Sequence, residues 1–313
     1  MLSLLGGIFL GWSLGANDVA NVFGSAVSSR MVKFWTAAVL ASIFVLLGAL
    51  LEGQAGIETL KGLTHLSLKK ATVASFAAAI TVTIMTMLSL PVSTSQAVVG
   101  AILGVGLLSK QINYSGLAKV VVCWLGTPLG GLVVAIVIYK LLAAIYNRLP
   151  IDLFQGDIFI RSALIVAGSY AAYALGANNV ANVTAVFVGA GALSVSSATL
   201  VGGLSIGMGI LTFSRGVMET VGKKLVRLDP FSALIVVLAE AVTVHFYTIV
   251  GVPVSTSQAV VGAILGVGIV KGISTVRRRT LLNILIGWFF TPVLAGLISL
   301  SIFFVVHLQY VPG

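Results

Sequence analysis

The chain has 313 residues, of which 58% are hydrophobic and only 8% are charged, and its mean hydropathy is +1.14. These values exclude a water-soluble protein of this size and indicate a polytopic membrane protein. The formal charge of +10 does not indicate nucleic-acid binding, because the basic residues lie at the ends of apolar runs, where they report membrane topology.

The apolar runs follow the same order in the two halves of the chain. The first half has spans at 3–29, 35–51 and 120–146, with two apolar arms at 71–108 on either side of Pro91. The second half has spans at 161–188, 197–213 and 280–308, with two arms at 233–270 on either side of Pro253. The first run has no basic leader and contains Asp18, so it is predicted to be a span and not a signal peptide.

Three sequence markers recur with an offset of 161–164 residues and predict a duplication. They are Gly-Ala-Asn-Asp-Val-Ala-Asn at 15–21 with Gly-Ala-Asn-Asn-Val-Ala-Asn at 176–182, the identical segments 91–106 and 253–268, and Trp124 with Thr127-Pro128 against Trp288 with Thr291-Pro292. We predict one transport domain made of a first repeat at 1–148 and a second repeat at 156–313. A short polar stretch at 147–157 joins them.

Each pair of arms is interrupted by proline and then by four small polar side chains. They are Ser93, Thr94, Ser95 and Gln96 in the first half, and Ser255, Thr256, Ser257 and Gln258 in the second. Irregular polar backbone at membrane depth needs cover from protein or a water-filled cavity, which favours a re-entrant hairpin over two full crossings. The sequence therefore predicts an all-α polytopic membrane protein with two inverted-topology repeats, each made of three spans and a re-entrant helical hairpin.

The distribution of basic residues predicts the orientation. One side receives five of them: Lys61, Lys69, Lys70, Lys110 and Lys119. The other side receives thirteen: Arg30, Lys33, Lys140, Arg148, Arg161, Arg215, Lys223, Lys224, Arg227, Lys271, Arg277, Arg278 and Arg279. The second side is predicted to be cytoplasmic, which places both termini outside.

Few polar residues occur inside the spans, and six of them form two matching groups. They are Asn17, Asp18 and Asn21 in the first half, and Asn178, Asn179 and Asn182 in the second. Hard oxygens of this kind suit Na⁺ or Mg²⁺, and the adjacent glycines are expected to let each helix unwind and expose carbonyl groups. Hydrogen bonds between helices are the alternative role, but symmetric placement with a carboxylate favours a cation site.

The hairpin tips predict a different ligand. Proline followed by serine or threonine is typical of a helix N-terminus, so the second arm of each hairpin is expected to begin near Ser93 or Ser255. Free N–H groups with hydroxyls around them suit an anion. Two tips that approach from opposite faces would hold one small oxyanion beside the cation site, which is the arrangement of a cation-coupled anion symporter.

At these motifs the chain resembles the Pit-type inorganic phosphate transporter family, over essentially its full length. The resemblance implies phosphate as substrate and Na⁺ or H⁺ as the driving ion, with the cation at Asp18, Asn21, Asn179 and Asn182 and phosphate at the two tips. Many relatives have Thr-His where this chain has Ser95-Gln96 and Ser257-Gln258, and eukaryotic relatives have a long central loop and glutamates at the positions of Val45 and Val237. These departures favour a bacterial or archaeal plasma-membrane protein and Na⁺ over H⁺.

We therefore predict a secondary transporter that imports phosphate with Na⁺, without a cofactor. Proton-coupled phosphate or sulfate transport is the nearest alternative, and an anion channel is less favoured. An enzyme is not indicated, because no paired carboxylate, Ser/Lys dyad or His-metal cluster is evident. The sequence leaves open whether the chain forms a homodimer and what Glu240 and His245 do, although an intramembrane carboxylate is a functional candidate.

Overall fold

A computed structural model describes residues 2–87, 92–108, 112–150, 152–224, 228–272 and 278–308, and these residues form a helical protein. The helices of the first half are α1 (Leu5–Ser28), α2 (Phe34–Glu52), α3 (Gln54–Lys61), α4 (Leu68–Met87), α5 (Thr94–Leu107) and α6 (Tyr114–Tyr146). Those of the second half are α7 (Leu153–Gly189), α8 (Val195–Lys224), α9 (Pro230–Ile249), α10 (Thr256–Lys271) and α11 (Arg278–Leu308). The predicted all-α fold is confirmed, whereas the short helix α3 was not foreseen.

Each half contains a helical hairpin with one long and one short arm. The long arms α4 and α9 have 20 residues and are among seven described helices that are long and apolar enough to cross a membrane. The short arms α5 and α10 have 14 and 16 residues. A helix of that length rises about 21–24 Å, less than the roughly 30 Å of a bilayer core. This difference supports the predicted re-entrant hairpins; Pro91 lies outside the described residues.

The predicted interruption of the first helix of each half is wrong. Both α1 and α7 run without a break through their Gly-Ala-Asn motifs. The glycines serve close packing instead of unwinding. A Cβ on Gly15 would overlap the backbone carbonyl oxygen of Ile206, and one on Gly176 would overlap that of Val45. Glycine has no Cβ, so the backbones of two helices can approach closely at these positions. This packing does not require either motif helix to unwind.

These close approaches are repeated between the halves. Gly176 is the counterpart of Gly15 in the other half, and Ile206 is the counterpart of Val45. The two close contacts are therefore equivalent. The helix pairs follow the same rule, because α1 packs on α8 as α7 packs on α2, and α5 packs on α11 as α10 packs on α6. This reciprocal packing is what a duplicated chain with an internal two-fold axis would give. The opposite orientation of the halves across a membrane stays a prediction.

Gly15→Ala is expected to destabilise the protein by about 1–3 kcal/mol, because the added methyl group would meet a backbone oxygen that cannot rotate away. Gly216→Ala is the matched control, since that glycine is exposed on α8 and nothing lies within 4 Å of its added Cβ. The control should be neutral or stabilising by roughly 0.5–1 kcal/mol. Thermal unfolding of the purified variants in detergent measures both. Equal unfolding temperatures for the two variants would contradict the packing described for Gly15.

The outer faces of the spans are apolar. On α6, Val122, Leu125 and Leu129 are 67%, 70% and 64% exposed, and on α11 Phe289 is 72% exposed. A soluble protein would cover side chains of this size, so these faces are suited to contact with lipid. The polar side chains of the two motifs lie inside the helix bundle.

Candidate functional site

The two hairpin tips lie against each other. The hydroxyl of Ser95 donates to the backbone oxygen of Val254 at 2.9 Å, and that of Ser257 donates to the backbone oxygen of Val92 at 3.1 Å. Ser95 corresponds to Ser257 in the repeated segment, and Val92 corresponds to Val254. The two bonds are therefore equivalent, and each hairpin donates one and accepts the other. The structure thus brings the two predicted tips together around one centre, and each tip supports the other.

Each short arm begins with a serine cap. Ser93 and Ser255 have extended backbone, and their hydroxyls accept from the N–H groups of Gln96 and Gln258, at 3.4 Å in both cases. The N–H groups of the first turns, at 94–95 and 256–257, have no protein acceptor among the described residues. Within the described part of the chain, two helix N-termini therefore present donors without a protein acceptor at the tips, which is the arrangement that binds small oxyanions.

Asp18 lies beside the first tip. Its side chain is 3% exposed, and Thr94 Oγ1 donates to it at 3.3 Å and 3.5 Å. No lysine, arginine or histidine forms an ion pair with Asp18 in the described part of the chain. A carboxylate in the membrane interior with one weak hydrogen bond is costly when charged, so its charge calls for a bound cation.

The asparagines one turn further along α1 and α7 connect each motif to the tip of the other half. Asn21 Nδ2 donates to Thr256 Oγ1 at 3.2 Å, and Asn182 Nδ2 donates to Ser95 Oγ at 2.9 Å. Asn182 also donates to Asn179 Oδ1 at 2.8 Å. The predicted cation residues and the predicted anion residues are therefore in direct contact, as coupling between two ligands requires.

Several polar atoms at this centre are buried and have no protein partner among the described residues. They are Oε1 of Gln96, Oε1 of Gln258, Oδ1 of Asn182 and Nδ2 of Asn179. Buried amide atoms are almost always paired, so such a concentration at one place suits a site that a ligand or water completes. Three of the four atoms are oxygens, which can accept from a protonated oxyanion or coordinate a hard cation.

Asn17 and Asn178 have a different environment. Asn17 Nδ2 donates to Thr86 Oγ1 at 2.5 Å, and Asn178 Nδ2 donates to Thr248 Oγ1 at 3.1 Å. Asn178 Oδ1 also accepts from the N–H of Val254 at 2.9 Å. These amides attach the long arm of each hairpin to the motif helix, which is the interhelical role that was the alternative for them. Sodium binding by this pair stays a prediction.

The second hairpin carries further polar contacts. His245 Nε2 lies 2.8 Å from Glu52 Oε2, His245 Nδ1 lies 2.8 Å from the Tyr170 hydroxyl, and Tyr173 donates to Glu52 Oε1 at 2.7 Å. This cluster joins α2, α7 and α9. Sequence reasoning singled out His245 but missed its partners, because Glu52 is 193 residues away and no local pattern links them.

The base of the same hairpin is closed by an ion pair. Lys271 Nζ lies 2.5 Å from Asp229 Oδ2, and Asp229 caps α9 by accepting from the N–H of Ser232 at 2.9 Å. Burial raises the pKa of Asp229, but the hydrogen bonds from Lys271 and Ser232 outweigh that effect and hold the pKa below its usual value. The two arms are thereby tied together at the end opposite the tip.

Comparison with known proteins agrees with this arrangement. The phosphate transporter family matches residues 14–299. A protein of Methanocaldococcus jannaschii provisionally named a phosphate permease is 30% identical over 301 residues, 96% of each chain. A sulfate permease of Bacillus subtilis is 29% identical over 305 residues, 96% of this chain and 86% of the relative. A solved structure described as the sodium-dependent phosphate transporter is 25% identical, with a TM-score of 0.88 and 98% of both chains covered. The chain belongs to the phosphate transporter family.

Proposed function

We propose that this protein imports inorganic phosphate together with Na⁺ by alternating access. The observation that carries the proposal is the convergence of the two hairpin tips beside Asp18, a buried carboxylate without a cationic partner. Unpaired donors of two helix N-termini suit the anion, and the carboxylate with its neighbouring amide oxygens suits the cation. The similarity to a sodium-dependent phosphate transporter supports both assignments.

Phosphate would bind between the first turns of α5 and α10. The backbone N–H groups at 94–95 and 256–257 and the hydroxyls of Ser93 and Thr256 would donate to its oxygens. The hydroxyls of Thr94, Ser95 and Ser257 already donate to protein acceptors, so they would position the tips around the anion. The amides of Gln96 and Gln258 would add a donor and an acceptor each. Since the tips belong to different halves, closing around phosphate would draw the halves together at this point.

Sodium would bind at Asp18, with oxygen ligands from Asn21, Asn179 and Asn182. Thr94 contacts Asp18 directly and belongs to the phosphate-binding tip, so a cation at the carboxylate would change the position and charge of that tip. A bound Na⁺ would therefore raise the affinity for phosphate. By linkage, phosphate would raise the affinity for Na⁺ by the same factor.

Sulfate is the second candidate substrate, because one relative of similar identity is a sulfate permease. The two anions differ in one respect that the site can detect. Phosphate near neutral pH carries a proton that can donate to a buried acceptor, whereas sulfate carries none. The unpaired oxygens of Gln96 and Gln258 are acceptors in the first turns of the short arms, so they favour phosphate.

The test of this selectivity is uptake of labelled phosphate by proteoliposomes in the presence of unlabelled competitors. We expect phosphate to compete fully, and sulfate to compete only at concentrations more than roughly tenfold higher, as the loss of one buried hydrogen bond implies. Equal competition by sulfate would favour a sulfate permease. Gln96→Leu should bring the competing concentrations of phosphate and sulfate closer together, because it removes one of the two acceptors for the phosphate proton.

The plasma membrane is the proposed location, which is consistent with relatives from an archaeon and a bacterium. The excess of basic residues on one side supports the proposal that both termini lie outside. Ser29 and Asn113 are exposed at opposite ends of the predicted spans. With Cys123 replaced by alanine, a cysteine at position 113 should react with an impermeant thiol reagent added to intact cells. A cysteine at position 29 should react only after the membrane is opened. The reverse labelling pattern would mean that the predicted orientation is wrong.

A further inference from the structure

A second carboxylate lies inside the helix bundle without a role in the scheme above. Glu240 is on α9, the long arm of the second hairpin, and its side chain is 1% exposed. Its Oε2 has no hydrogen-bond partner, and the carboxylate is in none of the ion pairs of the described residues. The burial of Glu240 excludes a solvated position for this carboxylate. Ala78 stands at the matching position of the first half.

The residues of α9 on either side of Glu240 are apolar and buried in the helix bundle. Val237 and Ala241 belong to the same apolar cluster as Leu14 of α1. Val244, one turn after Glu240, packs with Ala174 of α7 and Ala259 of α10. These neighbours place Glu240 where α9 meets the two motif-bearing helices and the short arm of its own hairpin, and not on the lipid face.

Several charged and titratable groups on the helices around α9 have partners of their own. Lys271 of α10 pairs with Asp229, His245 of α9 itself contacts Glu52 and Tyr170, and Lys61 of α3 pairs with Glu58. The remaining groups on α6 and α7 are Tyr114, Lys119, Cys123, Tyr139, Lys140, Tyr146, Asp157, Arg161 and Tyr173. On α1, Asp18 carries a second buried carboxylate, whose negative charge repels that of Glu240.

Two buried carboxylates that have no ion-pair partner among the described residues cannot both be charged in the membrane interior without bound cations. Sodium at Asp18 leaves the charge of Glu240 unbalanced. A proton or a small cation must therefore neutralise Glu240 as well, because an unneutralised charge in the membrane interior destabilises the folded protein.

We propose that Glu240 is a second cation-binding carboxylate of the transport site, occupied by a monovalent cation while Asp18 holds sodium. The inference rests on the proposed phosphate transport. A proton is the expected occupant, because the residues around Glu240 are apolar and a proton needs only one oxygen, whereas sodium needs several. Since the first half has Ala78 at this position, the second site belongs to one half only.

The test compares wild type with Glu240→Gln in proteoliposomes, as the steady-state phosphate accumulation reached under a sodium gradient or a pH gradient. If Glu240 carries a coupled proton, a tenfold proton gradient should raise the ratio of internal to external phosphate in wild type. The rise should be about tenfold larger than the rise in the variant. Phosphate itself titrates, but equally for both proteins, so only the difference between them is read. Glu219→Gln is the matched control, because Glu219 is exposed and pairs with Arg215 at 3.4 Å.

Accumulation under a sodium gradient tests whether the cation at Glu240 is sodium instead of a proton. A Glu240→Gln variant that keeps the pH response but loses about a tenfold response to a tenfold sodium gradient would assign sodium to Glu240 and support the proposal in that form. A variant with both responses equal to those of wild type and of Glu219→Gln would overturn it. Absence of sodium-driven phosphate accumulation in wild type would instead refute the proposed function.

A second variant protects the test against misfolding. Glu240→Ala introduces the residue that the first half already has at this position, and it leaves no polar atom buried. Its phosphate accumulation should lose the same response, to the proton gradient or to the sodium gradient, that Glu240→Gln loses. If both variants insert and both keep the wild-type responses, Glu240 binds no coupled cation.

Discussion

Asp18→Asn is expected to remove the sodium dependence of phosphate uptake while the protein still folds and inserts. The substitution keeps the shape of the side chain and its contact with Thr94, but it removes the buried charge that we propose sodium neutralises. Loss of a charged ligand should weaken sodium binding by roughly tenfold to a hundredfold. Because the two ligands are linked, the affinity for phosphate at a given sodium concentration should fall too. Initial uptake rates across a sodium titration measure both effects.

The matching residue of the second half provides the control. Asn179 occupies the position that corresponds to Asp18, and its Oδ1 accepts from Asn182. Asn179→Asp adds a carboxylate where the protein has none, so it should alter the cation requirement without removing the Asp18 site. A normal sodium curve for Asp18→Asn would mean that Asp18 is not the coupling ligand.

The second large effect is expected at the contact between the tips. Ser95→Ala removes the donor to Val254 and the acceptor for one N–H of Asn182, which keeps its bond to Asn179. The buried carbonyl oxygen of Val254 loses this partner, and Asn182 loses one of its two bonds. An unpaired buried group costs about 1–3 kcal/mol, and the tips lose one of the two reciprocal hydrogen bonds that hold them together. Phosphate affinity should fall by roughly tenfold or more, measured as the concentration for half-maximal uptake at saturating sodium.

Ser75→Ala is the matched control for this substitution. Ser75 is also buried, at 3% exposure on α4, but its hydroxyl has no partner among the described residues. The control should leave phosphate affinity unchanged. Ser257→Ala should resemble Ser95→Ala, since its bond to Val92 is the reciprocal one. If Ser95→Ala and Ser257→Ala bind phosphate as well as Ser75→Ala does, the tips do not form the anion site together.

The hairpins and their tips were predictable from the sequence for a local reason. The segment Pro-Val-Ser-Thr-Ser-Gln inside an apolar run breaks one helix and caps the next, whatever the rest of the chain does. The same segment recurs in the second half and forms the second tip. The contact of Ser95 with Val254 required the three-dimensional structure, because the two residues are 159 positions apart.

The glycines of the motifs misled sequence reasoning. Glycine next to asparagine is compatible both with an unwound helix and with close helix packing, and only the neighbour decides between them. The carbonyl group of Ile206 lies directly over Gly15, so the helix stays intact. In the same way, Asn17 resembles Asn21 in sequence, but it contacts Thr86 of its own hairpin while Asn21 contacts the tip of the other.

Accumulation of labelled phosphate inside proteoliposomes under an imposed sodium gradient tests the central claim most directly. An inward sodium gradient should drive phosphate above its external concentration, a potassium gradient of the same size should not, and Asp18→Asn should abolish the difference. Phosphate uptake that only equilibrates, at the same rate in sodium and in potassium, would contradict sodium-coupled transport.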